Sequence, residues 1–314
     1  MISQHLPFVM GEVFNRPHFV TEAHAAMIAA ALSGRLDIRS LATGFDVIDE
    51  RGMEDLADMG RLEARARKEK ISAHAGVAKT SSSRIPYELT ESGIAILPVQ
   101  GTLRRTWGIG PYSGATGYDG LWAQLMHAVA NDAVKGIWLS INSPGGTVDG
   151  LFDLTDAIYS NSARFGGKPI WAMAADQACS AAYAIAAAAD KVFVPQLGIT
   201  GSIGCVIMHA EVTQALEEQG VNVTIFRSKE RKARGGMMEA LDEATTEKFQ
   251  SLVDEADAVF VDRVARYRGL SKKSVHETAG DVYTGSRALA TGLVSAVLSE
   301  PEAWMKMERK IAGK

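Results

Sequence analysis

Ser180 lies in a run of very small residues, Ala178-Cys179-Ser180-Ala181-Ala182-Tyr183, that opens an alanine-rich helical stretch. A hydroxyl there sits close to the backbone N–H groups of a helix N-terminus, and its small neighbours let another backbone approach. Both conditions suit a nucleophile for acyl transfer, where developing negative charge needs nearby donors. The plain alternative is a helix N-cap, a role serine fills for structural reasons alone. Asn142-Ser143-Pro144-Gly145-Gly146 follows an apolar run and precedes a helical one. Its glycines permit unusual backbone geometry, so the segment could aim an N–H at a ligand. In isolation it reads as a tight strand-to-helix turn. Thr200-Gly201-Ser202-Ile203-Gly204 is a second glycine-rich turn whose hydroxyls could orient a catalytic group. No Lys-Ser/Thr follows it, so it is not a phosphate-binding loop. Residues 226–236 are strongly basic, as a solvated loop would be. A lysine from this loop could act as general base if desolvation and neighbouring Arg227, Arg231 or Arg234 strip its charge. A Ser-His-Asp triad would instead need His209, with Asp254 or Asp257 behind it. His209 also reads as an ordinary structural histidine.

These residues need a scaffold. From residue 93 the sequence alternates short apolar runs with amphipathic ones. Strands are expected at 93–99, 135–141, 169–173, 191–194, 205–208 and 221–226, and helices at 118–129, 148–159, 212–219 and 245–268. That alternation implies an α/β layered fold with largely parallel strands. Residues 1–85 have a different texture. They read as an N-terminal helical extension, with a helix at 21–36, a charged stretch at 49–70 and an Ala/Ser-rich linker at 72–83. The expected organisation is extension and linker at 1–85, catalytic domain at 86–300 and a C-terminal tail at 301–314.

The bulk properties narrow the class. Of 314 residues, 46% are hydrophobic and 22% charged, which suits a globular protein with a sizeable core. A net charge of −4 argues against a general nucleic-acid binder. Cys179 and Cys205 are the two cysteines and read as buried thiols, and Cys/His spacing for a metal is absent. No apolar run is long enough to span a membrane, and the N-terminus lacks signal-peptide character. An intracellular, cytoplasmic protein is expected.

Taken together, Asn142 to Gly146, Ala178 to Tyr183 with Ile185-Ala-Ala-Ala-Ala-Asp190, Thr200 to Gly204, and Asp281-Val-Tyr-Thr-Gly285 through Gly292-Leu-Val294 resemble the signal peptide peptidase A family (S49) of serine peptidases. The motifs run in the family's order over about residues 90–300. The resemblance implies a Clp protease/crotonase-like fold, a ββα superhelix, and a Ser/Lys dyad. The family's serine matches Ser180. Its lysine lies in a Ser-Gly-x-x-Lys-like segment, which Ser228-Lys229-Glu230-Arg231-Lys232 fits, so Lys232 is implied, 52 positions after Ser180. Lys229 is the rival, standing where glycine is common. Ser202 matches the hydroxyl that holds the lysine amine, and Gly146 the oxyanion-hole glycine. Ala181 would supply the second oxyanion N–H. Ser-Ala-Ala-Tyr replaces the usual Ser-Gly-Gly-Tyr, and Ala233 stands where an acid is common.

A chain without a membrane anchor and with a helical extension looks most like the bacteriophage head maturation branch, which cuts scaffolding protein inside the procapsid. The resemblance therefore implies a serine endopeptidase acting on a protein or peptide substrate, with no cofactor and no metal, as a homo-oligomer in host cytoplasm or procapsid. Signal-peptide or protein-degrading activity of the same family, a crotonase-like acyl-CoA enzyme and an inactive assembly factor are the alternatives.

Overall fold

The structure, a computed structural model, describes residues 17–20, 86–106 and 115–313. The helix expected at 21–36, the charged stretch at 49–70 and the linker at 72–83 lie outside the described residues. The part of 1–85 that is described includes a strand, β1 (His18–Val20).

Residues 86–300 build a largely parallel sheet. Its strands are β2 (Glu88–Leu89), β3 (Ile94–Arg104), β4 (Ala115–Gly117), β5 (Gly136–Thr147), β6 (Ile170–Cys179), β7 (Lys191–Val194), β8 (Ile199–Gly201), β9 (Val282–Thr284) and β10 (Ala296–Val297). The order across the main path is β10-β7-β6-β5-β3-β2, with β4 on β3, β8 on β6 and β9 on β8. All neighbours from β10 to β3 along that path run parallel, and among the described strands β2, β1 and β9 pair antiparallel with β3, β5 and β8.

The long strands change neighbours part-way. β6 pairs with β7 through Trp171–Met173 and then with β8 through Gln177–Cys179. The β5 pairing shifts register between Ile141 and Ser143 on one side and opposite Gln100 and Thr102 on the other. Each long strand thus serves as two and leads into a helix. This is the strand–strand–helix repeat of the Clp/crotonase-like fold.

Strand residues alternate between two cores, as period-2 side chains on a two-sided sheet must. Ala95, Leu97, Ile137, Leu139, Ile141, Ala172, Ala174 and Val192 face the larger core. It is covered by α1 (Tyr118–Ala130), α2 (Leu151–Ser160), α3 (Ala181–Ala188) and the 26-residue α5 (Glu243–Arg268). A shorter helix, α4 (Thr213–Glu218), precedes α5, and α6 (Lys272–His276) and α7 (Gly285–Ala290) follow it. Ile94, Ile96, Trp138, Trp171, Met173 and Phe193 face the other way. They meet α8 (Glu300–Ile311), whose Trp304 stacks edge-on against Trp138 with ring centroids 5.1 Å apart. Residues 301–314, expected as a tail, thus lie largely in a helix that closes the second core.

Three expectations differ from the structure. Residues 142–146 are not a turn: β5 runs straight through them to Thr147. Pro144 pairs with neither neighbour and sits at the register shift, where its missing N–H costs nothing. Residues 205–208 and 221–226 are not strands, apart from a single bridge at Val206. Beyond that bridge their apolar residues have no ladder partner among the described residues, and Phe226 is 93% exposed.

Candidate active site

The three motifs meet at the C-terminal ends of parallel strands, where open α/β sheets place their ligands. Ser143 on β5 stands opposite Ala178 on β6, and Cys179 opposite Gly201 on β8. Ser180 and Ser202 each follow one member of that last pair, so they are neighbours at the sheet edge.

Ser180 occupies the N-cap position of α3 but does not cap it. Its backbone has φ 54° and ψ −120°, and its side chain makes no cap hydrogen bond. An N-cap serine normally has extended φ/ψ and accepts from the first turn. A non-glycine residue at positive φ costs on the order of 1–3 kcal/mol and persists only where the surroundings hold it. They hold it here: Ser180 N–H donates to the Gly201 carbonyl at 2.8 Å, and its carbonyl accepts from Ala184 N–H at 3.0 Å. The residue is fully buried and Oγ has no hydrogen-bond partner among the described residues. The first-turn N–H groups of α3 have no intrahelical acceptor, so Ala181 brings a backbone donor to this end.

α3 itself is pinned. All eight of its residues are buried, and small side chains let it press on β5, β6 and α5. The Tyr183 hydroxyl donates to Leu293 O at 2.9 Å. Arg164 donates to the carbonyls of Ala188 and Ala189 at 3.1 and 2.8 Å, closing the C-terminal end. Burial pushes the neighbouring Cys179 thiol up to about 12, so it stays protonated and does not compete as a nucleophile.

The glycines have specific reasons. A Cβ on Gly146 would lie 1.9 Å from the Leu103 carbonyl oxygen, so only glycine lets β5 meet β3 there. Gly201 has φ 109°, and a Cβ would approach Asp281 O to 2.6 Å. Ser202 repeats the strain of Ser180 with φ 53°, its N–H donating to Asp281 O at 2.8 Å.

The basic loop stands apart. Lys232 and Lys229 are exposed, in a turn held by Lys232 N–H to Lys229 O (3.0 Å) and Arg227 Nε to Lys232 O (2.9 Å). Arg227 pairs with Glu239, and Arg234 reaches Asp242 at 3.4 Å, which ties the loop to the start of α5. Buried Gly235 packs there against Phe249. His209 is half-buried with its ring 6.5 Å from that of Phe249. Asp254 is exposed on α5 and Asp257 half-buried. The chain therefore places Ser180, Ala181 and Ser202 at adjacent strand ends, with Gly146 three residues past Ser143, which stands opposite Ala178. Neither Lys232 nor His209 is hydrogen-bonded to the Ser180 hydroxyl.

Two further hydroxyls are buried here. Ser143 is fully buried and its Oγ accepts from Gly145 N–H at 3.2 Å, and Thr200 Oγ1 is buried without a hydrogen-bond partner among the described residues. Both lie inside the motifs already singled out, so motif membership was their available signal.

Residues 162–312, which hold Ser180, Ser202 and Lys232, match the family model described as peptidase family S49. Over this segment the chain is similar to peptidase family S49. It is 35% identical over 309 residues to capsid assembly protease C of Escherichia phage lambda, covering 96% of this chain and 65% of that protein. It is 33% identical over 303 residues to head-tail preconnector protein GP5 of Enterobacteria phage P21, covering 96% and 56%. Serine protease SPPA, chloroplastic, of Arabidopsis thaliana is 29% identical over 208 residues, covering 65% and 30%. The chain thus spans roughly three-fifths of the length of the two phage relatives. No helix among its described residues is long and apolar enough to cross a membrane.

Proposed function

We propose that this chain is a serine endopeptidase of the Ser/Lys type that cleaves scaffolding or other capsid-assembly proteins. The observation that carries the reading is Ser180: a strained, uncapped, buried hydroxyl at a helix N-terminus, beside Ser202 and the Gly145-Gly146 segment. The phage relatives named for capsid assembly support the substrate class.

In the reaction, the neutral Lys232 amine takes the Ser180 proton as Oγ bonds to the scissile carbonyl carbon. The carbonyl π electrons move to oxygen, and the N–H groups of Gly146 and Ala181 stabilise that oxyanion. Collapse breaks the C–N bond, and the Lys232 ammonium gives its proton to the leaving amine. Water, deprotonated by the same amine, then hydrolyses the acyl-enzyme. Ser202 orients the amine. The substrate lies extended along the cleft by β-addition.

Lys232 is exposed in its own chain while Ser180 is buried, so we place the lysine's partner serine in a neighbouring copy of a homo-oligomer. Val206, Val221, Val223, Phe226 and Met238 around the loop expose apolar surface that such an assembly would cover. The work would take place in the host cytoplasm or the procapsid.

Co-expression with the scaffold tests this. Ser180→Ala and Lys232→Ala should each leave the scaffold uncut, and His209→Ala should cut it. Loss in His209→Ala with full activity in Lys232→Ala would replace the dyad with a triad. Cleavage should also rise with pH, because a lysine base works as the free amine, and a flat profile would count against one.

A further inference from the structure

β1 lies beside the candidate site. It pairs antiparallel with the end of β5, in the register His18 to Thr147, Phe19 to Gly146 and Val20 to Gly145. On its other edge His18 exchanges two backbone bonds with Val206: N–H to O at 2.8 Å and O from N–H at 2.9 Å. All three residues are thereby paired to the proposed oxyanion segment, and His18 is also held on its other edge by the chain just past Thr200–Gly204. His18 is only 7% exposed. Among the described residues β1 forms ladder pairs with no other strand.

An extended peptide bound by strand addition uses main-chain donors and acceptors of this kind. With β1 seated, they are used by the protein's own chain, and Ser180 has no solvent access. We propose that the slot between Gly145–Thr147 and Val206 is the peptide cleft, and that residues 17–20 fill it as a built-in ligand that masks the nucleophile. The inference rests on the Ser180 reading above. It adds that the isolated chain is self-blocked, and that a peptide substrate must displace β1 before it can be cut.

The test measures the rate at which a fluorophosphonate labels Ser180 in the full chain. His18→Pro removes the donor to Val206 O, and Phe19→Asp places a poor strand former opposite Gly146. Losing one net backbone bond should speed labelling by about fivefold or more, if opening of the slot limits it. A synthetic peptide of residues 15–22, added in trans, should slow labelling of both variants towards the wild-type rate. Unchanged labelling in both variants would overturn the inference and leave Ser180 as nucleophile. Faster labelling that the peptide does not reverse would also overturn it, because the substitutions would then act by loosening the fold. No labelling of Ser180 in any chain would remove the nucleophile and this inference together.

Discussion

At the scale of single residues, backbone conformation separates the proposed nucleophile from a capping serine. A capping serine would be extended and bonded to the first turn of α3. Ser180 is neither, and Ser202 shares its positive φ one strand away. Both serines were legible in the sequence as members of glycine- and alanine-rich motifs, but their strain was not, since φ is fixed by pairing among β6, β8 and β9. Gly146 offers a direct check. Gly146→Ala would drive a methyl into the Leu103 carbonyl, at a cost of about 1–3 kcal/mol if the strands part to admit it. The thermal midpoint should fall and Ser180 should lose reactivity with a fluorophosphonate. Unaltered stability and labelling would mean that β3 and β5 need not meet there.

At the scale of elements, the α/β alternation and most helices follow from local pattern. The failures are non-local. Residues 142–146 look like a turn because Pro and Gly usually break strands, yet a register shift lets β5 carry Pro144 unpaired. Residues 205–208 and 221–226 have strand composition but, apart from the single Val206–His18 bridge, no paired neighbour among the described residues, and composition alone cannot supply one. The long α5 is well specified: Asp242 caps it by accepting from Thr245 N–H at 2.8 Å, and Gly269 ends it at φ 67°.

Asp257 on α5 is less comfortable. Burial raises its carboxyl above the ordinary range, with Asp254 adding repulsion and His276 opposing the shift. A folded-state value above the unfolded one means that its contribution is fully present at acid pH. It is lost as pH rises through the folded value, because the ionised form is disfavoured in the fold. Asp257→Asn should therefore raise the thermal midpoint relative to wild type at pH 7 but not at pH 3. Equal shifts at both pH values would contradict the assignment.

At the scale of the whole molecule, the serine and the lysine stand in different settings of one chain, the first buried at the sheet edge and the second exposed on the basic loop. The proposed sharing of catalysis between copies would resolve that separation and predicts complementation. Ser180→Ala and Lys232→Ala chains, each inactive, should recover activity when mixed and reassembled. At a 1:1 ratio the recovery should be roughly a quarter of wild type, the share of head-to-tail interfaces that join an intact serine to an intact lysine. No recovery would place both groups in one chain and require the loop to move.

The account depends most on Ser180 itself. Intact-mass measurement of the full chain after fluorophosphonate treatment, with peptide mapping, addresses it directly. The expected result is one adduct per chain, on the peptide that carries Ser180, abolished by Ser180→Ala. An adduct on another residue, or none in a chain that cuts the scaffold, would contradict the account.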